Sequence, residues 1–141
     1  GYLVEPYLGD ETTLPVDYKI YVFAGTATFV QVHIDRGQRH RWILFNRQWQ
    51  QLSQFGEIVT PPPTNLARML SAAERMASAF DFARVDFYEI DGMPKFGEVT
   101  FYPGSGLDRF DPPALDLKIG ALWLNARDGE CRSEEQSVKA A

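Results

Sequence analysis

The sequence predicts an α+β domain in which an antiparallel sheet packs against helices. Segments with strand composition occur in pairs separated by short turns, and such pairs favour antiparallel neighbours. One segment with helical periodicity lies between these pairs, and a second one follows the last strand. The order strands, helix, strands, helix is typical of α+β proteins.

The first part of the chain predicts a β-hairpin. A short apolar run extends from Tyr2 to Leu8, and a turn-prone stretch from Gly9 to Pro15 follows it. The segments Tyr18 to Ala24 and Ala27 to Ile34 are rich in valine, isoleucine, phenylalanine, tyrosine and threonine, with Gly25 between them. This composition on both sides of a glycine indicates two strands joined by a turn.

A further strand and a helix are predicted next. Arg41 to Phe45 has strand composition, and the three prolines Pro61 to Pro63 interrupt regular structure after it. Thr64 or Asn65 is suited to cap a helix that begins there. Apolar residues then recur at helical spacing, and they are Leu66, Met69, Leu70, Ala73, Met76, Ala77 and Phe80.

A second hairpin follows in the segment RVDFYEIDGMPKFGEVTFYPGSG, which begins at Arg84. Side chains alternate along a strand, so every second residue lies on the same face. If Asp91 to Met93 form a three-residue loop, Asp86 lies opposite Glu98, and Arg84 lies opposite Thr100. The other face is apolar and is predicted to be buried; it consists of Val85, Phe87, Val99 and Phe101.

The facing acidic residues of this hairpin predict a metal site. Two carboxylates whose Cβ atoms lie only about 5 Å apart repel each other unless a cation neutralises them. Oxygen ligands of this kind suit magnesium, so Asp86 and Glu98 are candidate Mg²⁺ ligands. Two alternatives stay open: the charges of a solvated hairpin face water, or a register shifted by one residue sets Asp86 against Gly97.

The end of the chain predicts a short helix and a tail. Pro112 and Pro113 introduce a helix from Ala114 to Leu124, whereas the polar residues 126–141 are predicted to be disordered. Residues 1–125 then form one structural unit. Because the chain begins with Gly1 inside an apolar run, we expect that an N-terminal portion of a longer protein is missing.

Composition excludes several classes of protein. With 141 residues, of which 45% are hydrophobic, the chain can form one ordinary core. The net charge of −5 argues against binding to nucleic acid. No segment approaches the roughly 20 apolar residues of a membrane span, and no signal peptide is recognisable. The single cysteine, Cys131, fits a reducing compartment, so we expect a cytoplasmic location.

Several short motifs occur in the order in which a known family has them. They are Asp17-Tyr18-Lys19, Arg84-Val85-Asp86 and Glu98-Val99-Thr100, the last of which precedes Phe101-Tyr102-Pro103-Gly104-Ser105-Gly106. With these motifs the chain resembles the TupA-like ATP-grasp family of bacterial polysaccharide and teichuronopeptide biosynthesis proteins. The resemblance extends from about Leu3 to Leu124 and implies that residues 1–125 are the C-terminal part of an ATP-grasp domain.

The resemblance also implies an activity and the residues that carry it. The expected reaction is ATP- and Mg²⁺-dependent joining of a small-molecule or polymer-linked carboxylate to an amine, through an acyl phosphate. Asp86 and Glu98 would hold two magnesium ions against the ATP phosphates. Thr100 would be a further ligand, at a position where such enzymes commonly have asparagine. Arg84 would stabilise the phosphate or the tetrahedral intermediate as a catalytic residue.

The remaining ATP contacts implied by the resemblance lie near the start of the chain. Asp17 would bind the ribose, with Glu11 as an alternative, and Lys19 would contact a phosphate. The adenine ring would be lined by Glu5, Pro6, Tyr7 and Leu8. The competing interpretations are an ordinary buried strand for the apolar run and an exposed strand face for the lysine.

Three functions therefore stay open. The first is the ligase. The second is a non-catalytic ATP-grasp remnant or nucleotide-binding module, which Thr100 in place of asparagine allows. The third is a Mg²⁺-dependent phosphatase or nuclease that uses the same acidic pair, and both the negative charge and the lack of a further acidic cluster argue against it.

Overall fold

The computed structural model describes residues 1–2, 4, 6–9, 14–34, 40–53 and 60–139. Within these residues, five strands and two α-helices confirm the predicted α+β class. In chain order they are β1 (Asp17–Phe23), β2 (Thr26–Ile34), β3 (Arg41–Asn46), α1 (Leu66–Met76), β4 (Phe82–Ile90), β5 (Met93–Thr100) and α2 (Pro113–Lys139). A short 3₁₀ turn, Pro103–Gly106, follows β5.

The strands form one antiparallel sheet in the order β3-β2-β1-β4-β5. The pairs β1–β2 and β4–β5 are the two predicted hairpins. The connection through α1 brings β4 back beside β1, at the centre of the sheet. There Lys19 lies opposite Asp86, and Tyr21 lies opposite Arg84. The central pairing therefore joins residues that are far apart in the sequence.

One face of the sheet is apolar and packs against α1. Met69, Leu70 and Ala73 of the helix are buried on this face, as their spacing predicted. The helix ends at Met76, before the predicted residue Phe80. Phe101 was expected in the core, but it is 42% exposed, and its neighbour Phe80 is 39% exposed. They contact each other edge to face at the end of the sheet, with ring centroids 4.9 Å apart.

The opposite face is divided between an apolar half and a polar half. The apolar half contains Tyr21, Phe23, Phe29, Leu44 and Phe82, and it packs against Leu115, Ile119 and Ala126 of α2. Because Ala126 follows Ile119 by two helical turns, it reaches the same core, and α2 continues to Lys139. The helix therefore extends beyond Leu124, where the sequence predicted its end. No helix in the described part of the chain is long and apolar enough to cross a membrane.

The β4–β5 hairpin has a shorter turn than predicted. Asp91 and Gly92 both have positive φ angles, 52° and 68°, which are typical of a two-residue type I′ turn. The predicted three-residue loop is therefore wrong, and Phe87 lies opposite Phe96. The register then shifts between Val85 and Phe87, so that Arg84 lies opposite Thr100 as predicted.

Gly97 accommodates this irregularity. A Cβ atom at Gly97 would lie 3.2 Å from the backbone oxygen of Asp86 and 3.4 Å from the ring of Tyr88. These contacts are tight, so glycine lets the two strands approach each other closely at the shift. The acidic positions of the hairpin depend on this local geometry, because the register at the turn alone would move every later pair by one residue.

Glu89 on β4 caps the N-terminus of α1. Its carboxylate oxygens accept hydrogen bonds from the backbone N–H groups of Thr64, at 3.0 Å, and Asn65, at 2.9 Å. Asn65 occupies the predicted cap position, but its own side chain makes no capping hydrogen bond. The acidic side chain of a neighbouring strand satisfies N–H groups that the helix itself leaves unpaired.

Candidate functional site

Six of the predicted site residues lie together on the polar half of the sheet, on the face that α2 partly covers. They come from three adjacent strands and are Asp17 and Lys19 of β1, Arg84 and Asp86 of β4, and Glu98 and Thr100 of β5. Alternation along each strand points these side chains to one face, and the pairing of β1 with β4 and of β4 with β5 brings them into contact. We refer to these six residues as the ionic cluster.

Arg84 connects the carboxylates of the ionic cluster. Its Nε donates to Asp86 Oδ1 at 2.7 Å, and its Nη2 donates to Asp86 Oδ2 at 2.8 Å. The same Nη2 donates to Glu98 Oε1 at 3.0 Å and to Thr100 Oγ1 at 3.2 Å. The hydroxyl of Thr100 donates in turn to Glu98 Oε1 at 3.2 Å. Asp86, Glu98 and Thr100 therefore converge on one guanidinium nitrogen.

Lys19 provides the second cation of the ionic cluster. Its Nζ donates to Asp86 Oδ2 and forms an ion pair of 2.8 Å with Asp17 Oδ2. Asp17 and Asp86 are each only 1–2% exposed, and Lys19 is buried beside them. A buried carboxylate is stable as an anion only when cations or N–H donors surround it, and Lys19 and Arg84 meet this requirement for Asp86.

The electrostatic environment shifts the pKa values of Asp86 and Arg84. Burial raises the pKa of Asp86, while the hydrogen bonds and positive charges of Arg84 and Lys19 act in the opposite direction. Burial opposes the charge of Arg84, but the hydrogen bond and the negative charge of Asp86 raise the pKa of its guanidinium. The arginine therefore stays charged.

These contacts correct one step of the sequence interpretation. The facing carboxylates of Asp86 and Glu98 were expected to need a metal ion because they repel each other. In the structure, Arg84 lies between them and Lys19 adds a second positive charge at Asp86. The protein's own cations offset the repulsion, so repulsion by itself is no argument for a metal.

The donor atoms nevertheless fit magnesium that arrives together with phosphate. In the part of the chain that the structure describes, no group of three His, Cys, Asp or Glu side chains is placed to hold a metal ion. Magnesium is commonly bound through one or two carboxylates, with phosphate oxygens and water as the other ligands. Asp86, Glu98 and Thr100 supply oxygen donors of this kind, and the side chain of Glu98 is 63% exposed.

A pocket of about 340 Å³ opens beside the ionic cluster. Its walls are Leu8, Asp17, Lys19, Asp86, Tyr88, Phe96, Gly97 and Glu98. The pocket is mainly polar, because charged side chains of three strands form much of its wall. Four of the six residues of the ionic cluster therefore face a space that can admit a polar ligand.

A second pocket, of about 240 Å³, lies next to the first and is more apolar. It is lined by Pro6, Tyr7, Leu8, Gly9, Leu14, Pro15 and Tyr88. Three of the four residues that were predicted to line the adenine ring are in this wall, and the fourth, Glu5, lies outside the described residues. Leu8 and Tyr88 line both pockets, so the apolar and the polar space are neighbours.

Sequence reasoning did not identify Tyr88, Phe96 and Gly97 as part of this site. Tyr88 follows Asp86 by two positions and so shares its face, a signal that strand alternation already contained. Gly97 is a glycine within a strand, which often marks a bulge or a close approach of two backbones. Phe96 precedes Glu98 by two positions, so alternation carried a signal for it as well; in the structure it lies opposite Phe87.

Comparisons with known proteins agree with this architecture. A model of the family TupA-like ATPgrasp matches residues 3–124. Two solved structures of D-alanine–D-alanine ligase from Bacillus anthracis are similar in fold. The structure complexed with ATP has a TM-score of 0.55 and 18% identity, covering 86% of this chain and 40% of the ligase chain. The other has a TM-score of 0.50 and 19% identity, covering 86% and 42%.

The chain shares its fold with part of these ligase chains. The chain spans about two fifths of the length of the ligase chains that it matches. At these identities the likeness concerns the fold. Comparison with curated proteins gives no match. The family model extends over most of the chain and confirms the family that the sequence motifs predicted: the chain belongs to the TupA-like ATP-grasp family.

Proposed function

We propose that this chain is the C-terminal part of an ATP- and Mg²⁺-dependent ligase that joins a carboxylate to an amine through an acyl phosphate. The proposed setting is the synthesis of cell-surface polysaccharides or peptide polymers, in the cytoplasm. The observation that carries the proposal is the convergence of Asp86, Glu98 and Thr100 on Arg84, beside a polar pocket. The similar fold of a ligase that was solved with ATP supports it.

The two neighbouring pockets match the two parts of a nucleotide. The apolar pocket of Pro6, Tyr7 and Leu8 suits an adenine ring, which needs flat apolar contacts. The polar pocket suits the ribose and the phosphates, with Asp17 as the proposed ribose ligand and Lys19 as the proposed phosphate ligand. In this arrangement the base lies near Leu8, and the polyphosphate points towards the ionic cluster.

Each residue of the ionic cluster has a defined chemical role in the proposal. Asp86 and Glu98 would hold the magnesium, with Thr100 as a further oxygen ligand. When bound, magnesium would neutralise phosphate charge and orient the γ-phosphate for attack by the carboxylate. Arg84 holds both metal carboxylates in place and presents a permanent positive charge at the point where negative charge develops.

Turnover by the full-length protein tests the ligase proposal. With ATP and Mg²⁺, ADP release should require both a carboxylate and an amine, and Asp86→Asn should abolish it. Asp128→Asn is the matched control, because Asp128 lies on the surface of α2, paired with Arg127. ADP release that ignores both acceptors, or that survives in Asp86→Asn, would contradict the proposal.

The second candidate is a nucleotide-binding module without ligase activity. Thr100 favours it, because its hydroxyl is already engaged with Arg84 and Glu98 and has a shorter reach than an asparagine amide. This candidate predicts Mg²⁺-dependent ATP binding without ADP release under any combination of acceptors. Thr100→Asn separates the two candidates further, since only a ligase limited by this ligand would gain turnover.

A further inference from the structure

The ammonium group of Lys19 lies where the proposed magnesium has to bind. It donates to Asp86 Oδ2, while Arg84 donates to both oxygens of the same carboxylate. Both oxygens of Asp86 are thus engaged by positively charged groups. A divalent cation that approaches Asp86 is repelled by the Lys19 ammonium group. Without nucleotide, the site therefore disfavours the binding of a metal ion.

Arg84 and Lys19 differ in how firmly they are held. Arg84 makes two parallel hydrogen bonds to Asp86 and further bonds to Glu98 and Thr100, a planar geometry that fixes the guanidinium. Lys19 is a point charge at the end of a flexible four-carbon chain, held between Asp86 and Asp17. Of the two cations, Lys19 is therefore the one that can move away from Asp86.

The ammonium group of Lys19 borders a space into which it can move. It lines the polar pocket of about 340 Å³, together with Asp17, Asp86 and Glu98. The six-residue cluster carries three carboxylates and two cations, so it has one net negative charge. A polyphosphate in this pocket adds negative charge close to the ammonium and competes with Asp86 for it.

We propose that Lys19 couples metal binding to nucleotide binding. Without nucleotide, its ammonium takes the place of the metal at Asp86 and keeps the affinity for free divalent ions low. When the phosphates enter, they attract Lys19, so Asp86 Oδ2 keeps its hydrogen bond from Arg84 but loses the ammonium and can bind the magnesium that accompanies them. This inference rests on the proposed function, because it assumes that Asp86 and the polar pocket serve Mg²⁺ and ATP. It assigns Lys19 a positioning role in addition to phosphate contact.

Titration of the full-length protein with Mn²⁺ in the absence of nucleotide tests this coupling. Lys19→Met and Lys19→Gln should bind Mn²⁺ roughly tenfold more tightly than the wild type, because the competing positive charge is gone. Adding Glu98→Gln to Lys19→Met should remove this gain and so locate it at the ionic cluster. Lys95→Met is the matched control, since Lys95 is an exposed lysine of β5.

A second titration separates this inference from the proposed function. With a non-hydrolysable ATP analogue present, the wild type should bind Mn²⁺ tightly, and Lys19→Met should lose its advantage over it. If the wild type binds Mn²⁺ with the analogue but neither Lys19 variant gains affinity for Mn²⁺ alone, the coupling is refuted and the proposed function stands. If the wild type binds no Mn²⁺ with the analogue, both are overturned.

Discussion

Arg84 and Asp86, two residues apart on β4, form a bidentate ion pair in which Nε and Nη2 donate to the two carboxylate oxygens at 2.7 and 2.8 Å. Residues at positions i and i+2 of a strand share one face, so this pair is local in the sequence. The pairing of β4 with β1 then adds Lys19, and the pairing with β5 adds Glu98. A local motif thus becomes a site through contacts between strands.

Arg84→Lys should destabilise the protein although the charge is kept. An ammonium cannot reproduce the two parallel hydrogen bonds to Asp86 and the bonds to Glu98 and Thr100. We expect the free energy of unfolding to fall by about 1–3 kcal/mol, measured by urea denaturation followed by tryptophan fluorescence. Arg75→Lys, at an exposed position that bonds Ser71, should change it by less than about 0.5 kcal/mol. Equal effects of the two variants would count against a structural role for the bidentate pair.

Gly97→Ala should disturb the site through the backbone. The added methyl group would lie 3.2 Å from the backbone oxygen of Asp86 and 3.4 Å from the ring of Tyr88. We expect a loss of about 1–3 kcal/mol of stability from this overpacking, together with weaker nucleotide binding. Gly120→Ala on α2 has open space and should instead stabilise the protein by about 0.5–1 kcal/mol. In thermal denaturation, the melting temperature should therefore fall for Gly97→Ala and rise for Gly120→Ala, each relative to the wild type.

The fold could be predicted from the sequence further than the site could. Apolar periodicity and turn residues are local signals, so the strands, α1 and the start of α2 were placed within a few residues. The end of α2 was missed because Ala126 is buried by contacts with distant strands. Asp86 was predicted to lie directly opposite Glu98; in the structure the register shifts at this point, and the two carboxylates meet at Arg84.

The partner of Lys19 could not be predicted in the same way. Lys19 and Asp86 are 67 positions apart and meet because β4 returns beside β1. Sequence alternation marks each residue as lying on one face of its strand, but it carries no information on strand order. The cation that Lys19 adds at Asp86 was therefore visible only in the structure, whereas Arg84 shares a strand face with Asp86 by alternation alone.

The stability of the protein should decrease at alkaline pH because of buried tyrosines. Burial raises the pKa of Tyr21, and burial with a smaller effect of Glu89 raises the pKa of Tyr18. As the pH rises above about 10, these tyrosines lose their protons in the unfolded chain first, so the unfolded state gains stability relative to the folded state. We expect the free energy of unfolding to fall with pH in this range.

Substitution of each tyrosine tests this pH dependence. Tyr21→Phe and Tyr18→Phe should each make the fall above pH 10 less steep, measured by urea denaturation at several pH values. Tyr21→Phe should also lower the stability at neutral pH by about 1–2 kcal/mol, because Gln31 is buried and loses the 3.0 Å hydrogen bond from the hydroxyl. An unchanged pH slope in both variants would show that these hydroxyls are accessible to solvent.

Trp123→Phe should loosen α2 from the sheet. Its indole Nε1 donates to Asp81 Oδ2 at 3.0 Å, and the other oxygen of Asp81 accepts from the backbone N–H of Phe82. The ring also packs against Phe82, with centroids 4.7 Å apart. We expect the free energy of unfolding to fall by about 1–2 kcal/mol. Relative to the wild type, hydrogen exchange should become faster in α2 than it does in α1. Equal exchange in both helices would contradict a specific role in holding α2.

The proposed function requires that Asp86 and Glu98 bind the magnesium that accompanies ATP. Its most direct test is the ATP affinity of the full-length protein by calorimetry, with Mg²⁺ and with EDTA, for the wild type and the variant Asp86→Asn with Glu98→Gln. Binding should require Mg²⁺ in the wild type and should weaken at least about tenfold in the double variant, with Asp128→Asn unchanged. ATP binding that is equal in EDTA, or that the double variant retains in full, would contradict the claim.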